Sequence, residues 1–144
     1  MSVSALVSEP PEHSPCPCGR TERVAGKSRA LAFGACCQPY LGVPERVPDA
    51  EALMRSRYTA FVLGRVDHLV LTWHPSTRPA DLALEPGQKW LGLEVRQHRQ
   101  TDATHAEVEF VARSRMGGRG VRLHERSRFV LENGQWWYVD GDLR

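Results

Sequence analysis

All four cysteines of this 144-residue chain lie within its first 37 residues, at Cys16, Cys18, Cys36 and Cys37. Disulfides that staple a core are spread along a sequence, and in a reducing compartment they do not persist. Two tight pairs beside Pro17 and Gly19 instead suit a structural zinc site, which takes four soft ligands in a tetrahedron and needs little chain to supply them. The competing readings are free cysteines packed in a small core, or a strained disulfide between adjacent Cys36 and Cys37. A redox pair is served less well, because no Cys-x-x-Cys spacing occurs. One zinc per chain, held by the four cysteines, is therefore expected. Closed by four thiolates, it would stabilise its surroundings and not activate water.

A chain of this length suits one domain with a small appendage. Its formal net charge of +2 and ordinary share of charged residues name no partner. Apolar runs are broken by Arg, Asp or Pro before they reach the roughly 20 residues that span a bilayer. Met1 to Val7 lack a basic start, and Glu9 and Glu12 follow where a signal peptide would be cleaved. A cytoplasmic protein without a membrane span is expected.

Ser8 to Pro17 is rich in Pro, Glu and Ser and predicts a loose tail. After the cysteines, Asp49 is placed to cap a helix with apolar residues at Ala50, Leu53, Met54, Phe61 and Val62, ended by Gly64. Val66, Leu69, Val70 and Trp73 predict a second helix stopped by Pro75. From Lys89 the apolar period changes to two, which predicts strands through Leu91, Val95, Ala106, Phe110, Val121, Phe129 and their alternating neighbours. Asn133-Gly134 predicts a type I′ hairpin turn. Its register sets Leu131 against Trp136, Phe129 against Tyr138 and Ser127 against Asp140. Two helices followed by an antiparallel sheet make an α+β fold, the helices covering one side of the sheet.

Cys16-Pro17-Cys18-Gly19 followed by Cys36-Cys37 resembles the SEC-C motif, a zinc-binding knuckle first noted at the C-terminus of the SecA translocation ATPase. The stretches Leu53–Phe61, Thr72–Pro79, Trp90–Leu93 and Leu123–Phe129 are similar to the signature stretches of the bacterial YchJ-like family. The resemblance implies a flexible tail over 1–14, a SEC-C-like zinc knuckle over 15–41, and a nuclear transport factor 2-like α+β domain over 48–144, a cone of curved antiparallel sheet wrapped by helices. The gap between Cys18 and Cys36 is longer than the compact loop typical of the motif. No second cysteine cluster appears at the C-terminus, where some members carry one.

Cones of this kind often place polar groups at the mouth of an apolar cavity, where some relatives use Asp and His for proton transfer. Here strict alternation sets Glu125, Ser127 and Asp140 on one face with Leu123, Phe129 and Tyr138. Glu125, Asp140 and His74 are thus the catalytic candidates. The favoured alternative is that Arg55 or Arg57 pairs with Glu125 and Asp140, locking the first helix onto the sheet. His68 and His124 read as surface residues, Trp136 as core and Trp137 as facing away from it. Arg113, Arg115, Arg119, Arg122, Arg126 and Arg128 gather on one hairpin, and Arg122, His124, Arg126 and Trp137 share a face that offers a ligand or partner surface.

No phosphate-binding glycine fingerprint, nucleophile elbow or His-Glu-x-x-His helix is present, so the large enzyme classes find no foothold. The leading expectation is a zinc-binding adaptor whose knuckle docks a protein partner, while the cone binds a ligand or forms a homodimer through its open face. A small-molecule binder or enzyme acting through the cone cavity is the alternative. Nucleic-acid binding by the arginine hairpin is a further one.

Overall fold

The computed structural model describes residues 8–144, and the reading of Met1 to Val7 as lacking a leader falls outside them. Where composition predicts a loose tail, the backbone is tied down from Pro11 onward. Ser14 N–H donates to Pro11 O at 3.0 Å, Phe33 N–H to Ser14 O at 2.7 Å and Gly34 N–H to Glu12 O at 2.7 Å. Gly34 is needed there, because a Cβ would stand 2.9 Å from that of Glu12.

The long gap between the cysteine pairs is filled by a β-hairpin that the sequence pattern does not announce. Strands β1 (Thr21–Val24) and β2 (Lys27–Ala30) pair in register Thr21 to Ala30 around a turn whose residues, Ala25 and Gly26, have φ of 52° and 80°. Alternation fails as a signal because nearly every hairpin side chain is exposed, leaving no buried face to impose a period of two. Short 3-10 turns at Phe33–Ala35, Gln38–Tyr40 and Pro44–Arg46 carry the chain to the helices.

Helix α1 (Ala50–Leu63) is capped by Asp49, whose carboxylate accepts the Ala52 N–H at 2.8 Å, a contact worth about 1 kcal/mol. It ends at Gly64, whose φ of 72° is the left-handed conformation that a helix stop favours in glycine. Helix α1 is buried on almost every side, so Ser56, Arg57 and Thr59 are enclosed with its apolar residues. Helix α2 (Val66–Thr72) folds back against it.

Strands β3 (Lys89–Gln100), β4 (His105–Met116), β5 (Arg119–Glu132) and β6 (Gln135–Leu143) form an antiparallel meander in sequence order. Ala106, Val108, Phe110, Ala112 and Ser114 line its inner side along β4. Asn133 and Gly134 have φ of 54° and 73°, and Leu131 faces Trp136 as the turn chemistry predicts. Beyond Tyr138 the expected register fails. Phe129 pairs with Tyr138 but Arg128 with Asp140, so Val139 is an extra, bulged residue and Ser127 faces Gly141. A bulge shifts the alternation of everything after it, and this one moves Asp140 off the face of Ser127 and Tyr138.

The cysteine segment is not a loosely attached appendage. Cys16, Cys18, Phe33, Cys36, Cys37 and Leu41 belong to the same buried cluster as Leu53, Leu69, Phe129 and Trp136. No described helix is long and apolar enough to cross a membrane.

Candidate metal centre and neighbouring sites

Two local structures aim the cysteine side chains inward. Cys16 N–H donates to Leu31 O at 2.9 Å, and the following turn closes with Gly19 N–H on Cys16 O at 3.0 Å. Cys36 ends the turn begun at Phe33, with its N–H on Phe33 O at 3.1 Å, and Cys37 starts the next. All four cysteines are buried, and their sulfurs lie within 4.8 Å of one another. Cys18 Sγ and Cys36 Sγ are 3.6 Å apart, far beyond a disulfide's roughly 2.05 Å, and all four thiols are free. Four sulfurs about 2.3 Å from a central ion would be about 3.8 Å apart, so the set has the size of a tetrahedral thiolate site.

The electrostatics point the same way. Hydrogen bonds from Cys18, Cys36 and Cys37 hold the Cys16 thiol well below its ordinary range. Cys18 is raised by Cys16, but Cys36 and Cys37 bring it down to about 7. Cys36 is pushed up chiefly by Cys16 and Cys18, and Cys37 by its three neighbours and burial. Four adjacent thiolates cannot coexist without a cation, and a bound metal ion removes that conflict.

Groups around the sulfurs fix them. Arg20 N–H donates to Cys18 Sγ at 3.4 Å; Arg55 Nη1 donates to Cys18 O at 3.3 Å and reaches its sulfur at 3.9 Å. Buried Thr59 Oγ1 lies 3.9 Å from Cys16 Sγ. Glu51 gathers the surroundings: it binds Arg55 Nε at 2.9 Å and lies 3.9 Å from Arg20 Nη2 and 3.7 Å from His98 Nδ1. Knuckle, helix and sheet thus meet at one carboxylate. Glu51 and Arg20 are absent from the residues that sequence patterning singles out; the i,i+4 spacing of Glu51 and Arg55 is the one signal that marks the pair.

The remaining candidates do not converge on a reaction centre. Glu125 accepts from Ser127 Oγ at 2.5 Å and from Tyr138 Oη at 3.3 Å, its side chain lying over Gly141. Asp140, displaced by the bulge, accepts from Arg128 Nε at 2.6 Å. The expected clamp by Arg55 or Arg57 is therefore not formed, because Arg55 serves Glu51 and Cys18 while Arg57 turns toward α2. Arg57 Nη1 donates to Thr72 Oγ1 at 2.6 Å and Leu69 O at 3.0 Å. Its guanidinium lies 4.4 Å from the Tyr138 ring centroid and 4.9 Å from that of Trp73. Burial lowers the Arg57 pKa to about 10, and two aromatic faces stabilise the cation that remains.

His74 closes a clasp between a loop and the sheet. Its Nδ1 accepts from Ser76 N–H at 3.1 Å and is 2.7 Å from Ser76 Oγ, its Nε2 is 2.9 Å from Glu132 Oε1, and its backbone N–H donates to Tyr138 O at 2.8 Å. The ring packs edge-on against Trp137 at 5.8 Å. Trp137 faces away from the core and donates its indole N–H to Glu132 O at 3.3 Å, whereas Trp136 is buried. His124 Nε2 is 2.8 Å from Glu109 Oε2, and Arg126 reaches the other oxygen at 3.2 Å. Arg122 is exposed.

His68 overturns its surface assignment. It is fully enclosed, Nδ1 accepting the Gly42 N–H at 3.0 Å and Nε2 lying 2.9 Å from Ser56 Oγ. Ser56 gives its own proton to Leu53 O at 2.8 Å, so Nε2 of His68 is the donor. No neighbour in sequence signals this, because both partners come from distant segments.

A cleft of about 900 Å³ opens at the far end of α1 between Phe61, Val62, Val66, Leu84, Pro86 and Trp90, with Arg65, Asp67, Glu85 and Gln88 among its polar residues. None of Glu125, Asp140 or His74 lines it.

Fold and site together define a four-cysteine knuckle built into an α+β domain of a helix pair on an antiparallel sheet. Two solved structures share this fold. A SEC-C motif containing protein from Rhodopseudomonas palustris, solved in solution, aligns with a TM-score of 0.72 at 31% identity, covering 90% of this chain and 98% of that one. A crystal structure of a SEC-C motif containing protein from Psychrobacter arcticus gives 0.72 at 30% identity, covering 92% and 84%. The family model described as YchJ, middle NTF2-like domain, matches residues 49–141. A UPF0225 protein of Polaromonas naphthalenivorans is 63% identical over 132 residues, covering 90% of this chain and 97% of the relative. A UPF0225 protein of Bordetella bronchiseptica is 49% identical over 144 residues, covering 96% and 100%. The chain belongs to the YchJ-like, UPF0225 family, and its α+β part is a nuclear transport factor 2-like domain.

Proposed function

We propose that this protein is a cytoplasmic zinc-binding adaptor, in which the metal braces a hairpin that a protein partner grips. The observation that carries this reading is an asymmetry of exposure. All four sulfurs are enclosed, whereas β1 and β2 between them are exposed, with Val24 42% accessible at the hairpin's turn. A metal closed by four thiolates has no open position for water or substrate, so what it offers is the shape of the chain it holds. Zinc is the ion that four thiolates in a small tetrahedral site suit best.

The test separates the hairpin from the fold. Val24→Asp with Lys27→Glu should leave metal content and Tm unchanged while the protein loses its specific partners in affinity capture from its own cytoplasm. An unchanged partner set from this folded variant would refute the adaptor reading.

A second reading rests on the 900 Å³ cleft, whose apolar walls and few polar groups have the make-up of a small-molecule site. Perturbation of the Trp90 indole signal by a bound compound, abolished by Phe61→Asp, would support it. A compound that binds both proteins alike would count against it.

A further inference from the structure

The outer face of the sheet divides sharply by charge. Toward the β6 end, and along most of its length, most cations are paired with acids. Arg96 binds Glu94 at 2.8 Å, Arg99 binds Glu107 at 3.4 Å, Arg126 and His124 share Glu109, and Arg128 spans Asp140 and Asp142. Toward the Met116–Arg119 turn the pattern stops. One cross-strand row reads Gly92, Arg113, Arg122, and the next reads Lys89, Arg115, Gly120. No carboxylate lies within ion-pair distance of any of these four cations, among the described residues, and all four side chains are exposed. Glu94, in the following row, is already held by Arg96.

Like charges directly opposite one another destabilise a sheet, and here two such pairs lie side by side, Arg113 across from Arg122 and Lys89 across from Arg115. With strands about 4.8 Å apart and successive same-face residues about 7 Å apart, the four cations occupy a patch about 10 Å across. The row positions without a charge are glycines, and a Cβ at Gly92 or Gly120 would meet nothing within 4 Å. The patch is therefore basic, with Arg113 and Arg115 side by side on its central strand, Lys89 and Arg122 on the strands either side, and a glycine at each of the two remaining corners.

We infer that this patch binds the phosphodiester backbone of a nucleic acid, without reading its sequence. A second copy of the chain would bring the same charges face to face. A protein partner would need a desolvated aromatic or aliphatic anchor, and these rows contain only arginine, lysine and glycine. Phosphates require only cations at suitable spacing, which is what the rows present. Trp137, the outward aromatic, is taken up by His74 and Glu132, so base stacking is not part of the contact.

The test is fluorescence anisotropy of the full-length, metal-loaded protein with labelled single-stranded and duplex oligonucleotides. Binding should weaken with salt with a logarithmic slope of about −3 to −4 on duplex, as about four phosphate contacts require. Arg113→Glu with Arg122→Glu should lower affinity at least tenfold. Arg46→Glu with Arg99→Glu, the same charge change on exposed sites outside the patch, should alter it less than threefold. Circular dichroism melting checks that both variants are folded. The inference is overturned by absent binding at 50 mM salt, by equal losses in the two variants, or by polyglutamate binding where oligonucleotides do not.

Discussion

Arg55 reaches Cys18 twice, through Nη1 to the carbonyl oxygen at 3.3 Å and toward the sulfur at 3.9 Å, while its Nε holds Glu51 at 2.9 Å. One helix residue thereby orients a candidate metal ligand and sets a positive charge beside the four sulfurs. Groups that orient ligands in this way typically govern metal affinity by about tenfold or more. Arg55→Met should therefore lose metal to a competing chelator about tenfold more readily than the parent chain while remaining folded when loaded. Equal retention in a zinc-release titration would show that the contact to Cys18 is incidental.

Metal removal should unfold more than the knuckle. Because the four cysteines belong to the same core as Leu53, Leu69 and Phe129, their disorder cannot be confined to residues 15–41. Chelation should lower a single cooperative Tm seen alike by far-ultraviolet circular dichroism and by tryptophan fluorescence. A knuckle that melts first, with the tryptophan transition unmoved, would contradict a shared core.

His68 gives the fold an acid-side weakness. Burial, aided by Arg57, lowers its pKa from the ordinary 6.5 to about 4. The unfolded chain then takes up a proton near pH 6.5 that the folded chain refuses. The neutral ring's contribution is complete above pH 6.5 and is lost as the pH falls from 6.5 through about 4. The difference between the two values corresponds to about 3 kcal/mol. Urea unfolding at pH 7.5 and pH 4.5 should show this fall, and His68→Gln, less stable at neutral pH, should show a shallower one. Parallel pH dependences in the two proteins would remove His68 as the cause.

Gly141 is held open by Glu125. A Cβ added at Gly141 would approach Cδ and Cγ of Glu125 to 2.7 and 2.8 Å, displacing a carboxylate that binds Ser127 and Tyr138. Overpacking of this kind costs about 1 to 3 kcal/mol. Gly141→Ala should destabilise by that amount in denaturant melts, and adding Glu125→Ala should recover part of it. Additive losses would mean that the two positions do not interact.

What could be read from the sequence depended on whether a local period or cap encoded it. Asp49, Gly64 and Asn133-Gly134 carry their own backbone chemistry, so both helices and the last hairpin lie where patterning puts them. The clustered cysteines likewise announced the candidate metal centre. Asp140 was illegible because the bulge at Val139 has no residue signature, and a shift of one position reverses a face. His68 was hidden because its partners, Gly42 and Ser56, come together only in three dimensions. The β1–β2 hairpin has no sequence signal, because exposed strands carry no apolar alternation.

Whether Cys16, Cys18, Cys36 and Cys37 hold one zinc ion is read directly from metal content by inductively coupled plasma mass spectrometry. Protein purified without chelator should contain about one zinc per chain, and a Cys36→Ser variant should retain much less. Four free thiols and no bound metal, in a chain that is nevertheless folded, would show that the four cysteines are packed core residues and not a metal site.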